Sequence, residues 1–303
     1  MSQLAMNRSK IHRDVGTTIF IVLSYVVIGA FAFLCLFPFA LMVSSSFMLE
    51  SEIVADGYKL IPETWSLNSY RYLLTRSNQL VDSYLVTIFI TAVGTTLGLF
   101  IMSMAGFVLN RKDFKYRNRI AFFFYFTTLF SGGLVPTYML MVNTLGLKDS
   151  LWAMIFPGLV SAWSIFLMRN FMKSIPDSLY ESAALDGAGD FRIYATIYIP
   201  LSVPSLATIG LFLALGYWNE WYNAMLYIES QAKIPLQLFL QRMINTTNIS
   251  SLIARGVQID TSELPTQSIK MATAVVATGP IILVYPFVQR YFIGGLTIGS
   301  VKG

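Results

Sequence analysis

Long uninterrupted apolar runs recur along this 303-residue chain, and nothing else in it constrains the fold so tightly. Each run reaches about twenty residues, the length a helix needs to cross a hydrocarbon layer of about 30 Å. In lipid no water satisfies backbone N–H and C=O groups, so a spanning segment is a helix or a strand of a closed barrel. Barrel strands read as short segments of alternating polarity. The continuous runs here predict an all-α polytopic membrane protein with six transmembrane helices, at roughly 17–43, 83–109, 120–142, 151–171, 204–228 and 269–290. Composition agrees, because 55% of residues are hydrophobic and 12% charged, where soluble proteins carry about 25% charged residues. Residues 1–303 therefore read as a single transmembrane domain.

Arg8, Lys10 and Arg13 precede the first run as they would in a signal peptide. That run is longer than the roughly 7–15 residues of a cleavable apolar region and no small-residue cleavage site follows, so it is expected to stay as the first span. Cys35 is the single cysteine, which excludes a disulfide within the chain and a cysteine metal site. It is expected to be an apolar packing residue. His12, the only histidine, has no partner at metal-ligand spacing and is assigned no role.

The net charge of +5 does not point to nucleic acid, because the basic residues follow the membrane topology. With the N-terminus cytoplasmic, thirteen Lys and Arg fall on inner segments and eight on the longer outer ones. The compact set Arg111, Lys112, Lys115, Arg117 and Arg119 decides the orientation by the positive-inside rule. Both termini and the 174–200 loop are then cytoplasmic, while the 44–82 and 229–268 loops lie outside. In the latter, Leu236, Phe239, Leu240 and Met243 mark one apolar helix face, on the membrane surface or against the spans. Gly94-x3-Gly98 permits close helix approach. Ser131-Gly132-Gly133 with Pro136, and Gly279-Pro280, are expected to bend the third and sixth spans.

The 174–200 loop has its own helix logic. Ser174-Ile175-Pro176-Asp177 reads as a capped start with an acid in the first turn. A short helix over 179–185 is expected to end at Gly187 in the left-handed conformation, with Asp190 capping the next helix. Ala183 and Ala184 are small enough to seat that helix in a groove, and Glu181 is placed to pair with a base across an interface.

A second cluster lies near the outer end of the fifth span: Trp218, Asn219, Glu220, Trp221, Tyr222 and Asn223. A charge at the bilayer centre costs roughly 2.5–3.5 kcal/mol on insertion scales, so Glu220 needs a cavity or a partner. Carboxylates, amides and aromatic faces together suit a sugar in a substrate pathway. An aromatic belt with a hydrogen-bonded Glu220 explains them equally well. No G-x4-G-K-[ST] phosphate loop, G-x-S-x-G or H-E-x-x-H is present, so ATP hydrolysis and these catalytic classes are not expected of this chain.

Residues 181–200 read ESAALDGAGDFRIYATIYIP. Glu181-Ser182-Ala183, three residues, Gly187, nine residues and Ile197-x-Ile199-Pro200 resemble the EAA loop of ABC-importer permeases, Glu-Ala-Ala-x3-Gly-x9-Ile-x-Leu-Pro, with Ser182 and Ile199 as mild departures. FSGGLVPTYML, ATIGLFLALGYWNEWYNAMLYI and the tail RYFIGGLTIGSVKG extend the resemblance to maltose-type carbohydrate permeases, and to their lipoprotein-associated or polysaccharide/oligosaccharide permease branch. The resemblance implies a type I importer permease in a bacterial plasma membrane, carrying a carbohydrate inward by alternating access. It implies a second homologous permease, two ATPase subunits holding ATP and Mg, an extracellular sugar-binding lipoprotein, and no cofactor on this chain. It places ATPase docking on Glu181, Ser182, Ala183, Ala184, Asp186 and Gly187, contact with the binding protein on 229–268, and an approach to the ATPases on 294–303. The rival readings are an ATP-independent secondary transporter of a small polar solute, with Glu220 as the ion-coupled carboxylate, and an intramembrane enzyme on lipid-linked sugar.

Overall fold

A computed structural model describes residues 15–76, 78–245 and 267–298. Arg8, Lys10, His12, Arg13, the 246–266 part of the outer loop and the 299–303 end of the tail lie outside the described residues. The described residues form helices and no strand: α1 (Val15–Ser45), α2 (Glu50–Asp56), α3 (Asn68–Arg76), α4 (Asn78–Asn110), α5 (Arg117–Leu129), α6 (Leu134–Met139), α7 (Trp152–Ile155), α8 (Ala162–Met172), α9 (Asp177–Leu185), α10 (Asp190–Ile193), α11 (Ile199–Leu201), α12 (Val203–Trp218), α13 (Tyr222–Tyr227), α14 (Leu236–Asn245) and α15 (Gln267–Ile298).

α1 and α4 are each long and apolar enough to cross a membrane unbroken. The expected third span is instead two pieces, α5 and Leu134–Thr144, bent by 116° at the Ser131-Gly132-Gly133 break, where Gly133 has φ +84°. A bend was expected there, but the chain reverses rather than kinks. The fourth span is Trp152–Gly158 followed by α8, bent by 49°. The fifth, expected as one helix over 204–228, stops at Trp218, and Asn219–Trp221 separates it from α13. By length and composition these are two continuous spans and up to three broken ones, with α15 apolar over Gln267–Leu283. α15 runs through Gly279-Pro280 without interruption.

α4 is the centre, packed on α8, α12, α5 and α14. Close approach there depends on glycine. A Cβ on Gly94 would lie 2.4 Å from the Tyr217 ring, and one on Gly106 2.9 Å from Met168. The small-residue pattern at Gly94 and Gly98 is thus a packing device. α1 leans on α15 and otherwise exposes its apolar surface, including Cys35, which therefore does not pack within the chain. α5 buries no residue.

The 44–82 segment and the segment around α14 fold onto the helix ends. Phe47 packs on Trp65 and Tyr70, and the Ser46 and Tyr70 hydroxyls lie 2.7 Å apart. The Glu50 carboxylate accepts hydrogen bonds from the Gln267 and Ser268 N–H groups at 2.9 Å, so it caps α15 from 217 residues away. α14 presents its expected face to the spans: Leu236 is buried, Phe239, Leu240 and Met243 pack beside it, and the Leu236 N–H donates to Thr87.

Candidate functional site

The 174–200 loop forms two helical arms joined at Gly187. α9 ends in a Schellman motif: the Ala188 N–H donates to Ala183 and the Gly187 N–H to Ala184, both at 3.0 Å, with Gly187 at φ +81°. The expected left-handed hinge is therefore present. The expected caps are not. Pro176 occupies the N-cap of α9, and the Ser174 hydroxyl donates back to Phe171 instead. Gly189 is the N-cap of the second arm and Asp190 its first helical residue. That arm, Asp190–Leu201, contains a π turn at Tyr194–Tyr198 and meets α12 at 83°.

Asp190 is not a cap because its carboxylate is engaged elsewhere. It accepts from Arg111 at 3.1 Å and from the Tyr180 hydroxyl at 2.6 Å. Arg111 also bonds Asp113 and stacks 3.2 Å from the Tyr180 ring centroid. Lys112 donates to Asp177 at 2.5 Å. Two members of the basic 111–119 cluster thus tie the 111–113 segment to both arms. Asp177 raises the Lys112 pKa above the usual ammonium value, and the charge of Glu181 adds to this. Arg111 holds the Asp113 carboxyl below its usual range. Beneath the arms, Tyr194 and Tyr198 pack on Phe107, and the Tyr194 and Ser103 hydroxyls meet at 2.7 Å on α4.

Of the six residues expected on this surface, Glu181, Ser182, Ala184, Asp186 and Gly187 are exposed, and Ala183 is half-buried against the core below. Glu181 lines a recess of about 240 Å³ with Lys112, Tyr180 and Tyr198 and makes no ion pair at bonding distance among the described residues. Leu185 is 89% exposed and Phe191 62%, so the arms carry apolar knobs beside the acid. Sequence reasoning passed over both. The signal was there, an apolar residue just before a helix-ending glycine in a polar loop.

The outer cluster separates into parts. Trp218 is half-buried, donates to the Ala277 carbonyl at 3.2 Å and meets Tyr84 edge-on. Glu220 accepts from the Asn223 N–H and side-chain amide, both at 2.8 Å, which starts α13. Asn219 accepts from Gln237, and Trp221 and Tyr222 stand exposed at right angles to one another.

Comparison with known proteins places this geometry. No family model matches the chain. It is 41% identical over 291 residues to the polygalacturonan/rhamnogalacturonan transport system permease protein YtcP of Bacillus subtilis, covering 94% of this chain and 99% of the relative. It is 38% identical to protein LplC of Bacillus subtilis, covering 96% and 98%. Among solved structures, a chain of a bacterial ABC transporter involved in the import of the acidic polysaccharide alginate superposes with a TM-score of 0.81 at 31% identity, covering 92% of this chain and 98% of that one.

Proposed function

This chain belongs to the permease subunits of ABC importers for sugars and oligosaccharides, and from that premise we propose that it carries an oligosaccharide into a bacterial cytoplasm. The observation that carries the mechanism is the pair of helical arms hinged at Gly187, clamped by Arg111 and Lys112, with Glu181 and Leu185 left exposed and unengaged. Such a surface fits a groove on an ATPase. Two such ATPases hold ATP and Mg; this chain binds no cofactor, catalyses nothing itself and moves as a rigid body. ATP binding draws the arms together and opens the path outward; hydrolysis returns it. Both termini lie in the cytoplasm. A second permease covers the exposed face of α1 in the plasma membrane, and an extracellular sugar-binding lipoprotein docks over α14 and the segment after it.

For the substrate, the relatives' names favour saccharides released from polysaccharides. Trp221 and Tyr222 are the residues of the outer cluster free to meet a sugar, since Asn219 donates to the Leu215 carbonyl and accepts from Gln237. Trp218 is committed to packing, and Glu220 and Asn223 to one another. An ion-coupled role for Glu220 is disfavoured, since both carboxylate oxygens already accept hydrogen bonds.

The test is purification of the tagged chain, co-expressed with its neighbouring genes, as wild type, Glu181→Lys and Gly187→Val. The expected result is an ATPase that co-purifies with wild type and is depleted at least tenfold in both variants. A stable assembly without any ATPase would overturn the proposal.

A further inference from the structure

A second cytoplasmic recess lies beside the arms and shares with the clamp only the Lys112–Asp177 pair on its wall. It measures about 440 Å³ and is lined by Lys112, Arg117, Arg169 and Lys173 and by the Asp177 carboxylate, with Asn110 and Ser174 adding polar atoms. Lys112 is engaged by Asp177, whereas Arg169 and Lys173 have no carboxylate partner among the described residues. Asp177, on the same wall, balances Lys112, which leaves Arg117, Arg169 and Lys173 as three cations around one recess, so an anion is the natural occupant.

Its position identifies that anion. The recess sits where three helices end together: Asn110 closes α4, Arg117 opens α5, and Arg169 and Lys173 lie at the end of α8. The N-terminus of the 13-residue α5 adds its own positive end. Spanning helices end at headgroup depth, and basic recesses between them on the cytoplasmic side suit lipid phosphates. Along α5 from this point, Phe122, Phe123 and Phe126 are exposed at 65%, 63% and 45%, an apolar surface on which acyl chains can lie. The exposed residues of the docking arm, Glu181 and Leu185, do not line it.

We propose that this recess binds the phosphodiester headgroup of an anionic phospholipid of the inner leaflet, held by Arg117, Arg169 and Lys173 at the root of the coupling loop. A bound lipid there steadies the junction of α8 with α9, so membrane composition tunes coupling. The inference rests on the inward orientation of this face.

The test uses the full chain with its co-purified subunits in nanodiscs of phosphatidylcholine, titrated with phosphatidylglycerol and scored for retained lipid by mass spectrometry. Arg169→Gln with Lys173→Gln is compared with Lys115→Gln with Arg119→Gln, which removes equal charge from exposed residues outside the recess. The expected result is retention of phosphatidylglycerol weakened roughly 30-fold in the first variant, as two cations at a membrane surface predict. The second variant keeps it, and thermal unfolding in phosphatidylcholine alone is the same for both. Equal weakening in both, or none in either, overturns the proposal. So does inorganic phosphate competing as tightly as the lipid. Loss of the ATPase from the first variant with lipid retention unchanged also overturns it, making the recess a protein contact. A preparation without ATPase in wild type would instead strike at the importer reading and leave the lipid comparison readable.

Discussion

Tyr217 shows how a single side chain fixes the helix packing. It is buried, its hydroxyl donates to the Ile155 carbonyl at 2.8 Å, and its ring fills the space that a Cβ would need at both Gly94 and Gly158. The ring is boxed in on two sides, so it cannot slide to admit a methyl group. Gly94→Ala is expected to destabilise by about 1–3 kcal/mol, the usual cost of overpacking a filled core. At Gly98 the nearest atom is the flexible end of Met102 at 3.2 Å, so Gly98→Ala costs distinctly less. Thermal unfolding of the solubilised protein checks the pair; equal midpoints would refute the wedge. The small-x3-small spacing was legible in the sequence, but the tyrosine that uses it, more than a hundred residues later, was not.

At the scale of elements, the coupling arms are held by charges that contribute little to stability. Asp190 is 71% exposed and Asp177 49%, and exposed ion pairs are worth about 0–1 kcal/mol. Their role is position: Arg111 joins the 111–113 segment to the second arm and Lys112 joins it to the first. Asp190→Asn combined with Lys112→Gln is therefore expected to leave the unfolding midpoint nearly unchanged while lowering ATP-driven uptake several-fold in membrane vesicles. Uptake at the wild-type rate would show that the clamp does not transmit motion. The Gly187 hinge was visible from sequence because one residue's φ preference decides it. The clamp was not, because nothing periodic links Arg111 to Asp190 across 79 residues.

Across the whole molecule, the end of the helices opposite the 174–200 loop is secured by Asp149, which joins the loop after α6 to the segment before α14. Its carboxylate accepts from Lys233 at 2.8 Å, from the Ser230 hydroxyl at 2.5 Å and from the Ser230 and Glu229 N–H groups. The Lys233 ammonium first, then Ser230, holds the carboxyl far below its usual range. Folded Asp149 thus binds its proton less readily than the unfolded chain. Its contribution is full above about pH 5 and is lost as pH falls through the ordinary Asp value of about 4 and below. Asp149→Asn is a fair test because Asn tolerates the residue's φ of 54°. The unfolding midpoint of wild type is expected to exceed that of the variant at pH 7, and the gap is expected to start narrowing below about pH 4 and to go on narrowing as far as the pH can be lowered. A gap that stays constant with pH would sink the idea.

The sequence by itself determined the helical membrane architecture, the amphipathic register of α14 and the Gly187 hinge of the 174–200 loop. Each follows from local physics: the length of an apolar run, a 3.6-residue period, or one glycine's freedom at positive φ. Only the tertiary structure decided that the bend expected at 131–133 is a reversal of 116° and that the fifth span stops at 219–221, since apolar composition is the same on either side and hydropathy does not register the turn. It also decided the long-range pairs: Glu50 capping α15, Arg111 meeting Asp190, Asp149 holding Lys233, and Trp218 bound to α15 rather than standing with its neighbours. Those pairings are made by chain segments that approach only after the helices pack, and polar side chains carry no spacing that names a distant partner in advance.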